Sequence, residues 1–195
     1  LILIRYGGGQ HTVFGWGKYS VLATAVPDIS QRLVTLVATT KTFNLAGAMI
    51  GSIVTADDYL RKKILRVTAA NGTSFNRLGM MMTETAWRTG DSWLDSLLAY
   101  LTENRRIFED GVNQIAGVKA MSLDATYLCW VDFKDTGMIS EEFIRRVQSD
   151  AEIAANHGAS FGTGGESFLR FNIACRRALL GEAMARLADA FSDLQ

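Results

Sequence analysis

The feature that most constrains the fold is the apolar run RLVTLVATT at residues 32–40, which ends directly before Lys41. The run has the length of a strand and is rich in β-branched residues, as strands buried on both faces of a parallel sheet are. A second run, GAMIGSIVTA at residues 47–56, predicts another strand of the same kind. Because such sheets are covered by helices on both faces, the pattern predicts an α/β fold.

Two helices are predicted after these strands. The segment ADDYLRKKILRVT at residues 56–68 has acidic residues first and basic residues later, an order that suits the helix dipole. The segment RLGMMMTETAWRTG at residues 77–90 predicts a helix that ends at Gly90. We expect its methionines to pack against other helices, and we expect Trp87, Trp93 and Trp130 to serve as core or interdomain anchors.

From Asp91 onwards, apolar residues recur at helical spacing over about seven turns. A helix of this length usually connects two domains or runs along one. We therefore predict that residues 1–90 are the C-terminal portion of a large domain and residues 91–195 an interdomain helix with a small α+β domain. The repeating residues are Leu94, Leu97, Leu98, Leu101, Phe108, Val112 and Ile115.

The remaining segments fit a small α+β domain. Residues 117–133 predict two strands around a turn, and Ser140 is a plausible N-cap for the helix that follows. Residues 160–175, SFGTGGESFLRFNIAC, predict a glycine-rich hairpin with a second strand at residues 168–175. An amphipathic helix closes the chain.

Composition excludes several function classes. The 195 residues carry 20 basic and 20 acidic side chains without a long run of either sign, so nucleic acid and anionic membranes are not expected partners. No apolar run approaches the ~20 residues that cross a bilayer. Cys129 and Cys175 lie in apolar runs and are expected to be buried, reduced thiols of a cytoplasmic protein. The histidines lack the partners of a metal site or a catalytic triad.

Lys41 is the first candidate for chemistry. A lysine at a strand end usually extends its ammonium into water. Here, however, it follows the C-terminal end of a predicted parallel strand, where α/β proteins bind ligands. Hydroxyls at Thr39, Thr40 and Thr42 suit a phosphate. A desolvated lysine has a depressed pKa, which would make Lys41 a usable nucleophile toward a carbonyl or a proton acceptor.

Arg170 is the second candidate. It interrupts the apolar strand SFLRFNIAC, and Leu169 and Phe171 are expected on the opposite face. An exposed arginine is the commoner case by alternation. The functional alternative is a guanidinium that binds a carboxylate through two hydrogen bonds, with Asn172 on the same face as a neutral helper.

Several segments together resemble one known family. TTKTFNLAG, TETAWRTGDSWLDSLLAYLTENR, DATYLCWVDF and FGTGGESFLRFNIACRRALLGEAMARL look like segments of the fold-type-I enzymes that depend on pyridoxal 5'-phosphate. Among them, the class I/II aminotransferase-like C–S lyases, or cystathionine β-lyases, are the most similar. The resemblance begins near His11, follows the family order and covers the C-terminal half of such an enzyme.

The resemblance implies a set of roles. Lys41 is the Schiff-base lysine that binds the cofactor, Thr40 and Thr39 lie near its phosphate, and Arg170 with Asn172 binds the substrate α-carboxylate. Ala38 departs from the family, in which Ser is common at that position. No metal is implied. The family also implies a homodimer that acts on a small amino acid.

Three functions remain open at this point. The leading expectation is a C–S β-lyase that cleaves cysteine conjugates to thiol, pyruvate and ammonia. The first alternative is a class I/II aminotransferase. The second is a non-catalytic fragment or dimerisation module. Because the chain starts at Leu1 within a predicted strand, we expect it to be part of a longer protein and to be inactive alone.

Overall fold

The structure is a computed structural model that describes the strand at residues 2–5 by its backbone and residues 21–194 in full. The start of the family resemblance near His11 lies outside the described residues. The chain divides into two compact units, Leu1–Leu97 and Leu98–Gln195. The division into a large domain at residues 1–90 and a small domain at residues 91–195 stays a prediction.

The first unit contains a three-stranded sheet. Its strands, in spatial order, are β1 (Ile2–Arg5), β2 (Leu33–Val37) and β3 (Ser52–Val54), with β1 and β2 parallel. The strand predicted at residues 32–40 is confirmed over its first part. Its first three residues are buried in succession, as expected for a strand covered on both faces.

The prediction of a second parallel strand at residues 47–56 is wrong. The observed β3 has three residues and pairs antiparallel with β2. The connection between the two strands contains only a turn and a 3₁₀ segment, Ala46–Ala48. Without a crossover helix in between, the chain returns beside β2 in the opposite direction.

Two helices of the first unit begin at side-chain caps. The Asp57 side chain accepts a hydrogen bond from the backbone nitrogen of Leu60 (2.6 Å) and caps the predicted helix at residues 56–68. The Asn76 side chain does the same for the helix predicted at residues 77–90. Both helices are confirmed, and Gly90 follows the second. The helices of this unit are α1 (Leu22–Ala25), α2 (Asp58–Ala70) and α3 (Arg77–Thr89). The long helix predicted from the leucine repeat, α4 (Asp91–Asn113), has its first seven residues in the first unit and the others in the second.

The expectation that the methionines of α3 pack inside is wrong for the described residues. Met80, Met81 and Met82 are all exposed, and Trp87 and Trp93 are about half exposed. The buried face of α3 instead consists of small residues, Gly79, Thr83 and Ala86. A helix with a small-residue face allows the neighbouring backbone to approach closely, so its large residues are left on the other side.

The second unit contains a four-stranded sheet in the order β4-β5-β7-β6, with antiparallel pairs throughout. The predicted strands around a turn and the second hairpin strand are confirmed, although that strand ends at Asn172 instead of Cys175. The strands are β4 (Lys119–Ala120), β5 (Leu128–Asp132), β6 (Asn156–His157) and β7 (Phe168–Asn172).

The second unit also contains α5 (Ser140–Arg145), between β5 and β6, and α6 (Arg177–Ala190), after β7. A π-helical turn, Arg146–Asp150, extends α5. Ser140 is not the N-cap. It is the first helical residue, and its hydroxyl donates to the carbonyl oxygen of Glu166 (3.1 Å), so the hydroxyl joins the helix to the hairpin. Among the described helices, none is long and apolar enough to cross a membrane.

Aromatic side chains fill the core of the second unit. The rings of Phe133 and Phe143 stack with centroids 4.8 Å apart, and Phe191 of the C-terminal segment contacts Phe133 at 5.7 Å. Among the described polar side chains, only that of Asn104 on α4 is buried as deeply. Its amide donates to the carbonyl oxygens of Ile173 and Cys175 (2.9 and 3.0 Å) and so fixes the segment that follows β7.

Candidate functional site

Lys41 lies in a tight turn directly after β2. The turn is closed by hydrogen bonds from the backbone nitrogen of Phe43 to the oxygen of Thr39 (3.0 Å) and from that of Leu45 to the oxygen of Thr40 (2.8 Å). Asn44 supplies the left-handed conformation that the turn requires (φ 53°). The Lys41 side chain is exposed. The desolvation expected from its apolar neighbours in sequence is therefore not provided by the described residues.

A cavity of about 450 Å³ opens beside this turn. Lys41 and Thr40 line it, and the rest of its wall comes from β2, β3 and the loop between them, including Ala38 and Ile50. Ser52 of β3 contributes a hydroxyl that was not selected from the sequence, because the antiparallel pairing of β3 with β2 brings it to the cavity. The cavity thus combines one amine and two hydroxyls with an apolar wall.

Thr39 occupies a different position from its two neighbours. Its hydroxyl is buried and lies 3.0 Å from the hydroxyl of Thr83 on α3. This hydroxyl pair fixes the turn to the helix. The cofactor-binding role predicted for Thr39 stays a prediction, and among the predicted threonines it is Thr40 that shares the cavity with Lys41.

Helix α3 supports the loop between β2 and β3, residues 38–51, which is called the lysine loop from here on. The Asn76 side chain donates to the carbonyl oxygen of Ala48 (2.9 Å), and Gly79 leaves so little space that a β-carbon would lie 2.6 Å from the same oxygen. At the other end, a β-carbon on Gly90 would lie 2.5 Å from the ring of Phe43. With Thr83 in between, the helix and its two flanking residues contact this loop at four positions.

Arg170 lies on β7 with the alternation that the sequence predicts. Leu169 and Phe171 are buried on one face, and the half-buried Arg170 lies on the other. Its Nη2 donates to Oδ1 of Asn156 (2.9 Å), and its guanidinium carbon lies 4.4 Å from the centre of the Phe161 ring. Neither of these two neighbours was selected from the sequence.

Asn172 is exposed at the end of β7, and its side-chain oxygen accepts a hydrogen bond from the backbone nitrogen of Ala174 (2.9 Å). Any help it gives to a carboxylate would therefore come from its amide nitrogen. The roles of Arg170 and Asn172 stay predictions. These two residues belong to the second unit, whereas Lys41, Thr40 and Thr39 belong to the first.

Both cysteines are free thiols. Cys129 of β5 is buried, and burial raises its pKa to about 12, which keeps it protonated near neutral pH. Burial also raises the pKa of the half-buried Cys175. The charge of Arg105 acts to lower the pKa of Cys129, but burial outweighs it. Within the described part of the chain, no group of three or more His, Cys, Asp or Glu side chains could hold a metal ion.

Comparison with known proteins identifies a family to which the chain is similar. The sequence model of the family described as aminotransferase class I and II matches residues 10–187. Cystathionine beta-lyase PatB of Bacillus subtilis (strain 168) is 32% identical over 177 residues, which cover 90% of this chain and 46% of the relative. Aspartate aminotransferase of Pyrococcus horikoshii is 25% identical over 154 residues, or 77% of this chain and 39% of that protein.

Solved structures agree with this result. Cystalysin of Treponema denticola, a structure that contains a pyridoxal 5'-phosphate cofactor, superposes with a TM-score of 0.89 at 26% identity. The match covers 99% of this chain and 49% of cystalysin. The chain thus spans about half the length of the relatives it matches.

Proposed function

Because the chain belongs to the class I and II aminotransferase family, we propose that its protein is a pyridoxal-phosphate-dependent C–S β-lyase. The substrate class is a cysteine conjugate such as cystathionine, and the products are a thiol, pyruvate and ammonia. The observation that carries the proposal is the cavity in which Lys41 and Thr40 lie together. The similarity to a cystathionine β-lyase over 90% of the chain supports the choice of reaction.

The residues around the cavity fit the cofactor chemically. A volume of about 450 Å³ is within the usual range for a ligand of this size. Lys41 offers the amine that would hold the cofactor covalently, and the hydroxyls of Thr40 and Ser52 offer hydrogen bonds to a phosphate. Ser52 would compensate for the hydroxyl that Ala38 does not provide. Pyridoxal phosphate, when bound, supplies an electron sink for charge that develops on the substrate α-carbon.

Lys41 would then have a second task. As a free amine, Lys41 would take the proton from the substrate α-carbon as a general base. Its exposed side chain and its position in a fixed turn suit both tasks, because the Nζ atom can move while the backbone stays in place.

Arg170 would bind the substrate α-carboxylate. A guanidinium matches a carboxylate with two parallel hydrogen bonds, and Asn172 would add a neutral donor beside it. A fixed carboxylate orients the α-carbon, so the bond to be broken keeps one direction. With the proton removed, the electron pair of the α-carbon would form a double bond to the β-carbon while the bond between the β-carbon and sulfur breaks and the thiolate leaves. Water would then hydrolyse the resulting enamine to pyruvate and ammonia.

The alternative reaction is transamination by the same residues. It is supported by the family description and by the similarity to an aspartate aminotransferase. Transamination needs a keto-acid acceptor for the amino group, whereas β-elimination does not. The other alternative is a non-catalytic fragment or dimerisation module.

One assay separates these functions. The full-length protein is incubated with pyridoxal phosphate and L-cystathionine, and pyruvate and free thiol are measured with and without a keto acid. We expect both products without the keto acid, and we expect Lys41→Ala to abolish them. Strict dependence on the keto acid would indicate an aminotransferase instead. Absence of any cofactor absorbance band in the full-length protein would favour the non-catalytic alternative.

The assembly and location follow the same proposal. We propose a homodimer in the cytoplasm, with a small amino acid as substrate. The 195 residues alone are expected to bind the cofactor weakly and to show little catalysis. Sedimentation of the full-length protein would test the dimer.

A further inference from the structure

Arg170 lies in a row of three residues across the second sheet. In the register of the strands, it pairs with Trp130 of β5 on one side and with Asn156 of β6 on the other. Directly paired residues project from the same face of a sheet, so the three side chains are neighbours. The sequence separates Asn156 from Arg170 by fourteen positions and gives no sign of this contact.

Two contacts fix the guanidinium of Arg170. The hydrogen bond from Nη2 to Oδ1 of Asn156 (2.9 Å) determines the direction of its plane. The Phe161 ring, 4.4 Å from the guanidinium carbon, covers one of its faces. Phe161 is itself held edge-on by Trp130, with ring centres 5.2 Å apart. An arginine side chain has large rotational freedom, and these neighbours remove much of it before any ligand binds.

The guanidinium charge nevertheless stays available. Asn156 is neutral, and within the described residues no carboxylate forms an ion pair with Arg170. Arg145 and Arg146 of the same unit, by contrast, are each paired with two carboxylates. The Nε atom of Arg170 is buried and has no acceptor among the described residues. A buried donor without an acceptor costs stability, so stability alone does not explain this arrangement.

The glycine-rich segment GASFGTGG, residues 158–165, positions Phe161. A β-carbon on Gly158 would lie 2.3 Å from the carbonyl oxygen of Gly165, so the two ends of the segment touch through their backbones. Gly162 and Gly164 have positive φ angles of 123° and 89° and turn the chain between these ends. Phe161 lies within this closed loop, and half of its side chain remains exposed.

We propose that Asn156 and Phe161 are positioning residues that orient Arg170 for a carboxylate without neutralising its charge. The proposal rests on the carboxylate-binding role of Arg170 in the proposed function. The carboxylate would accept hydrogen bonds from the N–H groups that Asn156 does not use. The two residues would therefore act on substrate binding, and the chemical step would be left to other groups.

The test compares variants of the full-length holoenzyme in their KM and kcat for L-cystathionine and in the inhibition constant of propionate, a simple carboxylate. We expect Asn156→Ala to raise KM and the inhibition constant roughly ten-fold, as for loss of one hydrogen bond to a charged group. We expect Phe161→Leu to raise KM and the inhibition constant about three-fold. Phe161→Tyr, which keeps the aromatic ring face, should leave both near their wild-type values. In each case kcat should change less than about two-fold.

His157→Ala is the matched control. His157 lies next to Asn156 on β6, but alternation places it on the other face, where its ring nitrogen lies 3.1 Å from the Gln148 amide. It should leave both binding quantities unchanged. A lower melting temperature of Asn156→Ala or Phe161→Leu without a change in KM would show a purely structural role and overturn the proposal.

Arg170→Lys distinguishes a failure of the positioning proposal from a failure of the proposed carboxylate site. If it raises KM strongly while Asn156→Ala and Phe161→Leu do not, Arg170 binds the carboxylate without their help, and only the positioning proposal fails. If Arg170→Lys itself leaves KM and the inhibition constant unchanged, the proposed carboxylate site is wrong and the positioning proposal with it.

Discussion

Lys41 and Arg170, the two cationic residues with proposed roles, are held in opposite ways. The Lys41 side chain is exposed, and no described residue pairs with its ammonium. Its backbone is firmly supported, because α3 and its flanking residues contact the lysine loop at four positions, Asn76, Gly79, Thr83 and Gly90. Arg170 instead has its guanidinium itself fixed, by the amide of Asn156.

The difference matches the tasks proposed for the two residues. An amine that exchanges one covalent partner for another and then moves a proton has to travel, so only its base needs a fixed position. A guanidinium that receives a carboxylate performs best when its donors already point in the required direction. The comparison therefore predicts that lyase activity depends on backbone support around Lys41, whereas substrate binding depends on the side-chain contacts of Arg170.

The largest expected effect is that of Gly158→Ala in the arginine region. The added β-carbon would lie within 3 Å of backbone oxygens of Gly165 and Phe168, which cannot move independently of the hairpin. We expect a loss of about 3 kcal/mol in the free energy of unfolding, measured by urea denaturation of the full-length protein. Gly181→Ala on α6 has open space around the new carbon and should be neutral or stabilising. Equal losses in both variants would contradict the packing argument.

Gly79→Ala tests the support of the lysine loop. Its β-carbon would lie 2.6 Å from the oxygen of Ala48, and relief requires the loop to move away from α3. Alanine gains about 1 kcal/mol of helix propensity, so we expect a net loss of about 1–2 kcal/mol together with lower lyase activity. Gly47→Ala, in the same loop but with no atom within 4 Å, is the control. If Gly79→Ala leaves activity intact, the backbone support is not needed for Lys41.

The Thr39–Thr83 hydroxyl pair gives a double-mutant cycle. Either Thr39→Val or Thr83→Val leaves one buried hydroxyl without its partner, at a cost of about 1–2 kcal/mol. The double variant removes both hydroxyls and should cost clearly less than the sum of the two single changes. Additive losses in urea denaturation would show that the two hydroxyls do not interact.

The smallest expected effect concerns acid stability of the second unit. Hydrogen bonds from Arg145 and Arg146 hold the pKa of Glu142 down to about 2, from an ordinary value of 4.5. A carboxylate with a depressed pKa stabilises the folded state above its ordinary pKa, and this contribution is lost as the pH falls through about 2. Glu142→Gln should flatten the dependence of the unfolding midpoint on pH between these values. Because Glu142 is on the surface, the change will be small, and high salt should reduce it further.

Periodic patterns predicted most of the fold. The leucine repeat predicted α4, the apolar alternation around Arg170 predicted β7, and the β-branched run before Lys41 predicted β2. Prediction failed where the outcome depended on a partner distant in sequence. The direction of β3 depends on its pairing with β2, and the exposed methionines of α3 follow from a close approach between that helix and the lysine loop.

The residues with proposed roles also fall into those that the sequence could predict and those that it could not. Lys41 and Arg170 could be selected because each interrupts or ends an apolar strand and because the flanking motifs resemble a known family. Thr83, Ser52, Asn156 and Phe161 could not, since they meet the site through strand register, helix packing or a closed glycine loop. Local sequence carries no signal for contacts of that kind.

The central claim is that Lys41 holds the cofactor. The full-length protein is loaded with pyridoxal phosphate, reduced with borohydride to fix the attachment, digested, and analysed by peptide mass spectrometry. The account predicts that the pyridoxyl group is found on the peptide containing Lys41 and is lost in Lys41→Ala, while Lys62 and Lys63 of α2 stay unmodified. Attachment at another lysine of the wild-type protein, or no attachment at all, would contradict it.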